Sequence, residues 1–277
     1  MGSSSRASIS SSTGAAIPKL LSQTWRTKEL PPAAARLRRG WIENNPDFVV
    51  SLYDDEASRD VVAEVAPDGL ATYDAMPFPV MRADAFRYAV MVRDGGVYAD
   101  IDMECLRPVE RLLSGRSCVL AIEAWLTKAR ARELGYAAPF QVANCVFAAA
   151  PGHSFFREAL ARALALSAAV RSRAEVEDAT GPRMLTRLFF EREWDVALAS
   201  PIALTAPLHY PNLWPLNTNM HARHRAFGTW KDRRQRSFRR LWIERDRWVN
   251  PFPRALVRPT AEAFRSVSAG EVPWPAA

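Results

Sequence analysis

Between Phe78 and Arg107 the chain runs from an apolar, helix-like segment carrying Arg82, Asp84 and Arg87 into Asp94-Gly95-Gly96 and then Asp100-Ile101-Asp102. No other stretch constrains the fold so strongly. The glycine pair must stop a helix over Met81 to Val92, and the apolar run Val97 to Ile101 reads as a short strand leaving that stop. In extended backbone side chains alternate faces, so Asp100 and Asp102 are expected to point the same way and present carboxylate oxygens to one divalent cation. Ile101 is expected on the opposite side. On the helix, Asp84, Arg87 and Tyr88 are three and four residues apart and share one face, which leaves Ala85, Ala89 and Val92 for the buried side.

The flanking pattern predicts an α/β sheet. A first strand is expected in the segment from Ile17, a helix ending at Asn44-Asn45-Pro46, a strand over Phe48 to Tyr53, and a helix to about Val65 capped by Asp54 and Asp55. Ala66 to Phe78, rich in Pro and Gly, reads as a connection. Strands over Val119 to Glu123 and Val142 to Ala149 and an Ala-rich helix over Ser154 to Val170 complete the alternation, which argues for three layers with a central sheet. Ligands of open α/β sheets sit beyond the carboxyl ends of strands, where Asp100 and Asp102 fall. Past Thr180 the pattern loosens between prolines.

At 277 residues, 48% of them hydrophobic, the chain buries a sizeable core and cannot be mainly disordered. A net charge of +7, nearly all its cations arginine, favours an anionic partner. Cys105, Cys118 and Cys145 form no close pair and are expected as buried free thiols in a reducing compartment, with no structural zinc. Residues 1–16 read as a flexible Ser-rich tail, without the apolar run of a signal peptide or membrane span. The segment 231–248 mixes arginines with Phe238, Leu241, Trp242, Ile243 and Trp248 as an amphipathic basic helix would, and either covers the domain or contacts a membrane peripherally.

Arg82-Ala-Asp84-Ala-Phe-Arg87-Tyr88 followed by Asp94-Gly95-Gly96-Val97-Tyr98-Ala-Asp100-Ile-Asp102 resembles the signature of the DXD sugar-binding glycosyltransferases. That group includes mannosyltransferases, capsular polysaccharide transferases and the catalytic domains of large clostridial glucosylating toxins. Further likeness lies in Ile17-Pro18-Lys19 to Trp25, where Ser22 replaces the usual His, in Asn144 with Pro151-Gly152-His153, in Thr180-Gly181-Pro182, and in His224 with Thr229-Trp230. The resemblance spans Ile17 to about Trp230.

What it implies is a GT-A, Rossmann-like fold with a helical, irregular C-terminal part. The catalytic domain would run over 17–250, its nucleotide-sugar half 17–125 and its acceptor half 126–250, followed by an extension over 251–277. The activity implied is transfer of a sugar from a nucleoside diphosphate donor, with retained configuration, assisted by Mn²⁺ or Mg²⁺. Asp102 would ligate the metal, with Asp100 contacting it or the ribose, while Asp84 and Arg87 hold sugar hydroxyls and the departing phosphate. Tyr98 is expected on the phosphate and Asn144 and Trp230 at the donor. Trp25 is expected either to stack on the base or to pack in the core. A histidine would complete the metal sphere, and His224 competes with His221 for that place. The acceptor would be a saccharide, a lipid-linked molecule or a protein, no nucleic acid is expected, and the location would be cytoplasmic or on the inner face of a membrane.

Two other classes share parts of the pattern. A haloacid-dehalogenase-like phosphatase also carries Asp-x-Asp after a strand, but it needs an N-terminal nucleophile strand and a later G-D-x-x-x-D that are not evident here. A non-enzymatic reading takes 231–248 as a membrane or nucleic-acid binding segment.

Overall fold

A computed structural model describes residues 16–205, 220–225 and 256–257. The chain begins with strand β1 (Leu20–Thr24), helix α1 (Pro32–Asn44), β2 (Val49–Tyr53), α2 (Asp55–Val65), α3 (Leu70–Asp74) and α4 (Pro79–Arg93). It continues through β3 (Gly96–Ala99), β4 (Met103–Cys105), α5 (Glu110–Leu113), β5 (Cys118–Trp125), α6 (Lys128–Glu133) and β6 (Phe140–Ala149). The remainder comprises α7 (Ser154–Ser167), α8 (Val176–Ala179), α9 (Pro182–Glu191), β7 (Ala197–Ala199), α10 (Pro201–Leu204), β8 (Ala222–His224) and β9 (Leu256–Val257).

Local chemistry sets these boundaries. Proline stands in the first turn of α1, α4 and α9, where its missing N–H is no loss and its fixed φ suits the helix. The Asp54 side chain accepts from the Ala57 N–H at 2.9 Å and caps α2. Ala66 to Phe78, expected as a plain connection, instead holds a short 3-10 turn over Pro67–Gly69 and α3, which brings Tyr73 into the core. Beyond Thr180, where the sequence pattern loosens, α9, β7 and α10 extend the domain.

Seven strands form one sheet in the order β2-β1-β3-β6-β5-β7-β9, and β4 pairs separately with β8. Strands β1, β2 and β3 are parallel, whereas β6 runs antiparallel to both β3 and β5. Because β6 lies between β3 and β5, the stretches before and after residue 125 share one sheet, and β9 joins it beside β7. Helices cover both faces. Tyr98, Leu120 and Phe147 point to the side packed by α2, α4, α7 and α9, and Val97, Ala99, Val119 and Ala148 point to the side of α1 and α5. The three-layer α/β architecture expected from the alternation is what the chain adopts. Strands buried on both faces explain why β3, β5 and β6 read as nearly unbroken apolar runs. Cys105, Cys118 and Cys145 are buried and unpaired. Among the described residues no helix is long and apolar enough to cross a membrane.

The junction of α4 and β3 depends on glycine. Gly95 and Gly96 have φ of 66° and 83°, and a Cβ at Gly96 would lie 2.5 Å from the Leu20 carbonyl oxygen. Gly96→Ala therefore combines a left-handed backbone with a backbone clash and is expected to lower stability by about 3 kcal/mol or more, read as a shifted urea midpoint.

Candidate active site at the end of strand β3

The sheet delivers Asp100 to its edge. Strand β3 ends at Ala99, and the Asp100 N–H still donates to the Cys145 carbonyl of β6 at 2.8 Å. The chain then turns tightly, with the Met103 N–H donating to the Asp100 carbonyl at 2.9 Å, before β4 begins. Asp100 and Asp102 thus converge by a turn and not, as the alternation rule predicts, by extended backbone. The separation of two residues serves either geometry, so spacing alone could not distinguish them. Ile101 is buried.

Strand β8 supplies the third group. Met103 pairs with His224 in the β4–β8 ladder, and His224 Nε2 lies 3.2 Å from Asp102 Oδ1. One ligand atom each from Asp100, Asp102 and His224 falls within 4.8 Å of the others, and all three side chains are partly open to solvent. His221 is elsewhere: its Nδ1 lies 2.5 Å from the Pro108 carbonyl, and burial lowers its pKa. Two carboxylates and an imidazole form a donor set that suits a divalent ion such as Mn²⁺ or Mg²⁺.

Behind this cluster lies a buried polar network that the sequence reading did not foresee as buried. Asp84, Arg87 and Tyr88 do share a face of α4, but that face turns inward to β3 and β6, so α4 is buried nearly all round. Val92, expected on the buried side, is only half-buried. Asp84 Oδ1 accepts from Asn144 Nδ2 at 2.9 Å, and Oδ2 accepts from the Thr180 hydroxyl at 2.7 Å. The Tyr88 hydroxyl lies 2.7 Å from Asn144 Oδ1 and 2.6 Å from the Thr180 carbonyl. Arg87 Nη2 sits 3.2 Å from Asp84 and 3.3 Å from Asp100, while Arg87 Nη1 donates to the Asn144 carbonyl.

The Arg87 guanidinium thus links a fully enclosed acid to one at the surface. Burial opposes its charge, but Asp100, Tyr98 and Asp84 more than offset this and raise its pKa. Burial also lifts the Asp84 carboxyl to about 7, against the pull of Arg87 and the hydrogen bond from Thr180. Both Asp84 oxygens accept, the arrangement of an ionised carboxylate. Thr180→Val would leave Oδ2 without its hydroxyl donor and is expected to lower unfolding free energy by about 1–3 kcal/mol in denaturant titration.

Tyr98 acts within the protein. Its ring is fully buried and stacks on Phe147 at 5.4 Å, the Arg87 guanidinium lies 5.0 Å from its centroid, and its hydroxyl donates to Asp100 Oδ1 at 2.8 Å. The hydroxyl expected on a phosphate is instead turned to Asp100, and it fixes that carboxylate. Asn144, expected at the donor, likewise braces Asp84 and Arg87. Trp25 is half-buried just past β1, its backbone N–H donating to the Tyr53 carbonyl at 3.0 Å and its ring centroid 5.3 Å from the Arg26 guanidinium. Trp230, Thr229 and the basic segment 231–248 lie outside the described residues. Thr180 is the site residue that sequence reasoning left unassigned: the Thr-Gly-Pro turn was visible, but its contact with Asp84 crosses 96 positions.

Comparison with known proteins places these residues in context. Residues 31–119 match the family described as "Glycosyltransferase sugar-binding region containing DXD motif", which bears out the resemblance read from the motifs. Inositol phosphoceramide mannosyltransferase 3 of Schizosaccharomyces pombe is 33% identical over 147 residues, covering 53% of this chain and 37% of that protein. Mannosyl phosphorylinositol ceramide synthase SUR1 of Saccharomyces cerevisiae is 33% identical over 144 residues, covering 52% of this chain and 34% of that one. The chain thus spans little more than a third of the length of these curated relatives. Among solved structures, the PaToxG glycosyltransferase aligns with a TM-score of 0.46 and 13% identity, covering 93% of this chain and 86% of that one.

Proposed function

We propose that this chain, which carries the sugar-binding region of the DXD glycosyltransferases, transfers a hexose from a nucleoside diphosphate donor to a glycoconjugate acceptor. The observation that supports this most is the convergence of Asp100, Asp102 and His224, from a β-turn and a strand 122 positions away, past the carboxyl end of the interior strand β3 and backed by a buried arginine. A bound divalent cation would neutralise the diphosphate as it departs, without proton transfer. Asp102, His224 and Asp100 would hold that cation.

The protein's own groups account for the rest. Arg87 is fixed by Asp84, Asn144 and Tyr98 and sits 3.3 Å from Asp100, so its charge is in place before the donor arrives and no side chain must reorganise as the phosphate leaves. Asp84 is enclosed, and its role is to position Arg87. Retention of configuration is part of this reading, and only the family resemblance supports it. The relatives' names point to mannose as the first sugar to try and to a lipid-linked acceptor.

Incubation of the full chain with UDP- and GDP-hexoses is the test. Release of nucleoside diphosphate that needs Mn²⁺ or Mg²⁺ and stops with a chelator is the expected result. Release at an unchanged rate in excess chelator would remove the metal from the reading, and no release from any donor would remove the reading itself.

A further inference from the structure

A further carboxylate, Glu123, stands two strands away from Asp100 at the same end of the sheet. Strand β6 lies between β3 and β5 and runs antiparallel to both, so β3 and β5 point the same way and carry Asp100 and Glu123 at or near their carboxyl ends. Two inter-strand spacings separate β3 from β5, about 10 Å. Along β5 the alternation of faces puts Glu123 with Val119 and Ala121, which share one apolar cluster with Met103 and Ala222 of the β4–β8 ladder. Glu123 thus sits on the side of the sheet where Asp102 and His224 meet.

Helix α10 ties the two places together. The Thr205 hydroxyl, just past that helix, donates to the Ile122 carbonyl at 2.7 Å, and the His221 N–H donates to the Ala203 carbonyl at 2.9 Å, three residues before His224. The residue preceding Glu123 and the segment that leads into His224 therefore rest on one short helix. Cys145 of β6 lies between them. Burial pushes its thiol well up, and Asp100, Glu123 and Asp102 push it further in the same direction, so all three carboxylates lie around this one side chain.

The Glu123 carboxylate is held in place and partly open to solvent. Its Oε2 accepts from Gln141 Nε2 at 2.7 Å, and Gln141 Oε1 accepts from the Tyr136 hydroxyl at 3.1 Å. A carboxylate accepts and does not donate, so the Gln141 amide must turn its NH₂ to Glu123 and its carbonyl to Tyr136. Tyr136 is anchored in turn by packing with Leu126 and Ala131.

A bound hexose brings hydroxyl groups that need partners once water is displaced. Asp84, expected to take them, is enclosed behind Arg87, and Tyr98 and Asn144 direct their polar atoms to Asp100 and Asp84. Glu123 lies where a pyranose would reach from a diphosphate held at Asp100, Asp102 and His224. We infer that Glu123 accepts hydrogen bonds from hydroxyl groups of the transferred hexose, on the side of the ring away from the diphosphate. The inference rests on the transferase reading and adds the residue by which the site tells a sugar nucleotide from the bare nucleotide.

Calorimetric titration of the full chain at saturating Mn²⁺ tests this, with GDP-mannose, GDP-glucose, UDP-glucose and UDP-galactose as ligands beside GDP and UDP alone. For each sugar nucleotide that the wild type binds, Glu123→Ala should weaken binding about tenfold or more, the loss of a charge-assisted hydrogen bond, and leave the matching nucleoside diphosphate within about twofold. Glu123→Gln, which keeps the size of the side chain, should show the same split with a smaller amplitude, and it carries the test if the melting temperature of Glu123→Ala falls. Equal losses for sugar nucleotide and nucleoside diphosphate, or wild-type affinity for both in the two variants, would overturn the assignment while the transferase reading stands. A wild type that binds none of the four sugar nucleotides would remove the transferase reading and this inference together.

Discussion

Replacing Asp102 by Asn is expected to lower sugar-nucleotide turnover about a thousandfold or more, which is about 4 kcal/mol of transition-state stabilisation. The melting temperature should stay within a few degrees of wild type. The reasoning is geometric. Asp102 sits in a turn past the carboxyl end of β3, its structural bond to the Arg225 backbone N–H is made by its own backbone carbonyl, and its side chain lies beside His224. Asn keeps the shape and removes the charge that would bind a cation. Turnover measured with saturating Mn²⁺, alongside thermal unfolding, separates the two effects; near wild-type turnover would exclude Asp102 as a metal ligand.

Arg87→Met is expected to act in the opposite proportion, with a large loss of stability as well as of activity. Truncating one partner of a buried ion pair leaves the other charge enclosed, at a cost of about 3–5 kcal/mol. Asp84 would then keep its donors Asn144 and Thr180 but lose the cation 3.2 Å away. The loss should depend on pH with a definite sign. Burial already holds the folded Asp84 carboxyl at about 7, above its ordinary 3.8, and removing Arg87 takes away the largest opposing influence. A carboxyl whose folded pKa is raised binds protons more tightly in the native state, so stability falls as pH rises between the two values. Both folded proteins carry a protonated Asp84 between pH 4 and 7, so the Arg87→Met defect should be nearly constant there and grow above pH 7 in urea titrations, where wild-type Asp84 ionises beside Arg87 and the variant's does not. Adding Asp84→Asn should recover part of the stability without recovering activity. A defect that stays flat above pH 7 would show that Asp84 is not the group left stranded.

Much of this fold could be read from local signals. Pro32, Pro79 and Pro182 mark helix starts, Asp54 caps α2, and Gly95-Gly96 forces the break before β3, all through short-range sterics or hydrogen bonds. The candidate site was legible as a motif but not as a geometry. Asp100-x-Asp102 is compatible with a strand or a turn, and only the Met103 bond to the Asp100 carbonyl decides between them. Helix spacing showed that Asp84, Arg87 and Tyr88 share a face, yet periodicity cannot say whether a polar face meets water or the polar groups of other elements. Here it meets Asn144 and Thr180, 60 and 96 residues from Asp84. The choice between His221 and His224 was likewise beyond local reading, because it turns on the register of β8 against β4, which places His224 opposite Met103. Trp230 lies outside the described residues.

The account turns on whether a divalent cation and a nucleoside diphosphate are held together at Asp100, Asp102 and His224. Electron paramagnetic resonance titration of Mn²⁺ into the full chain, with and without added nucleoside diphosphate, addresses this directly. The expected result is one ion bound per chain, at least about tenfold more tightly when the diphosphate is present, with that binding lost in both Asp102→Asn and His224→Ala. Mn²⁺ binding that is unchanged in those two variants, or no binding by the wild type in the presence of the diphosphate, would contradict it.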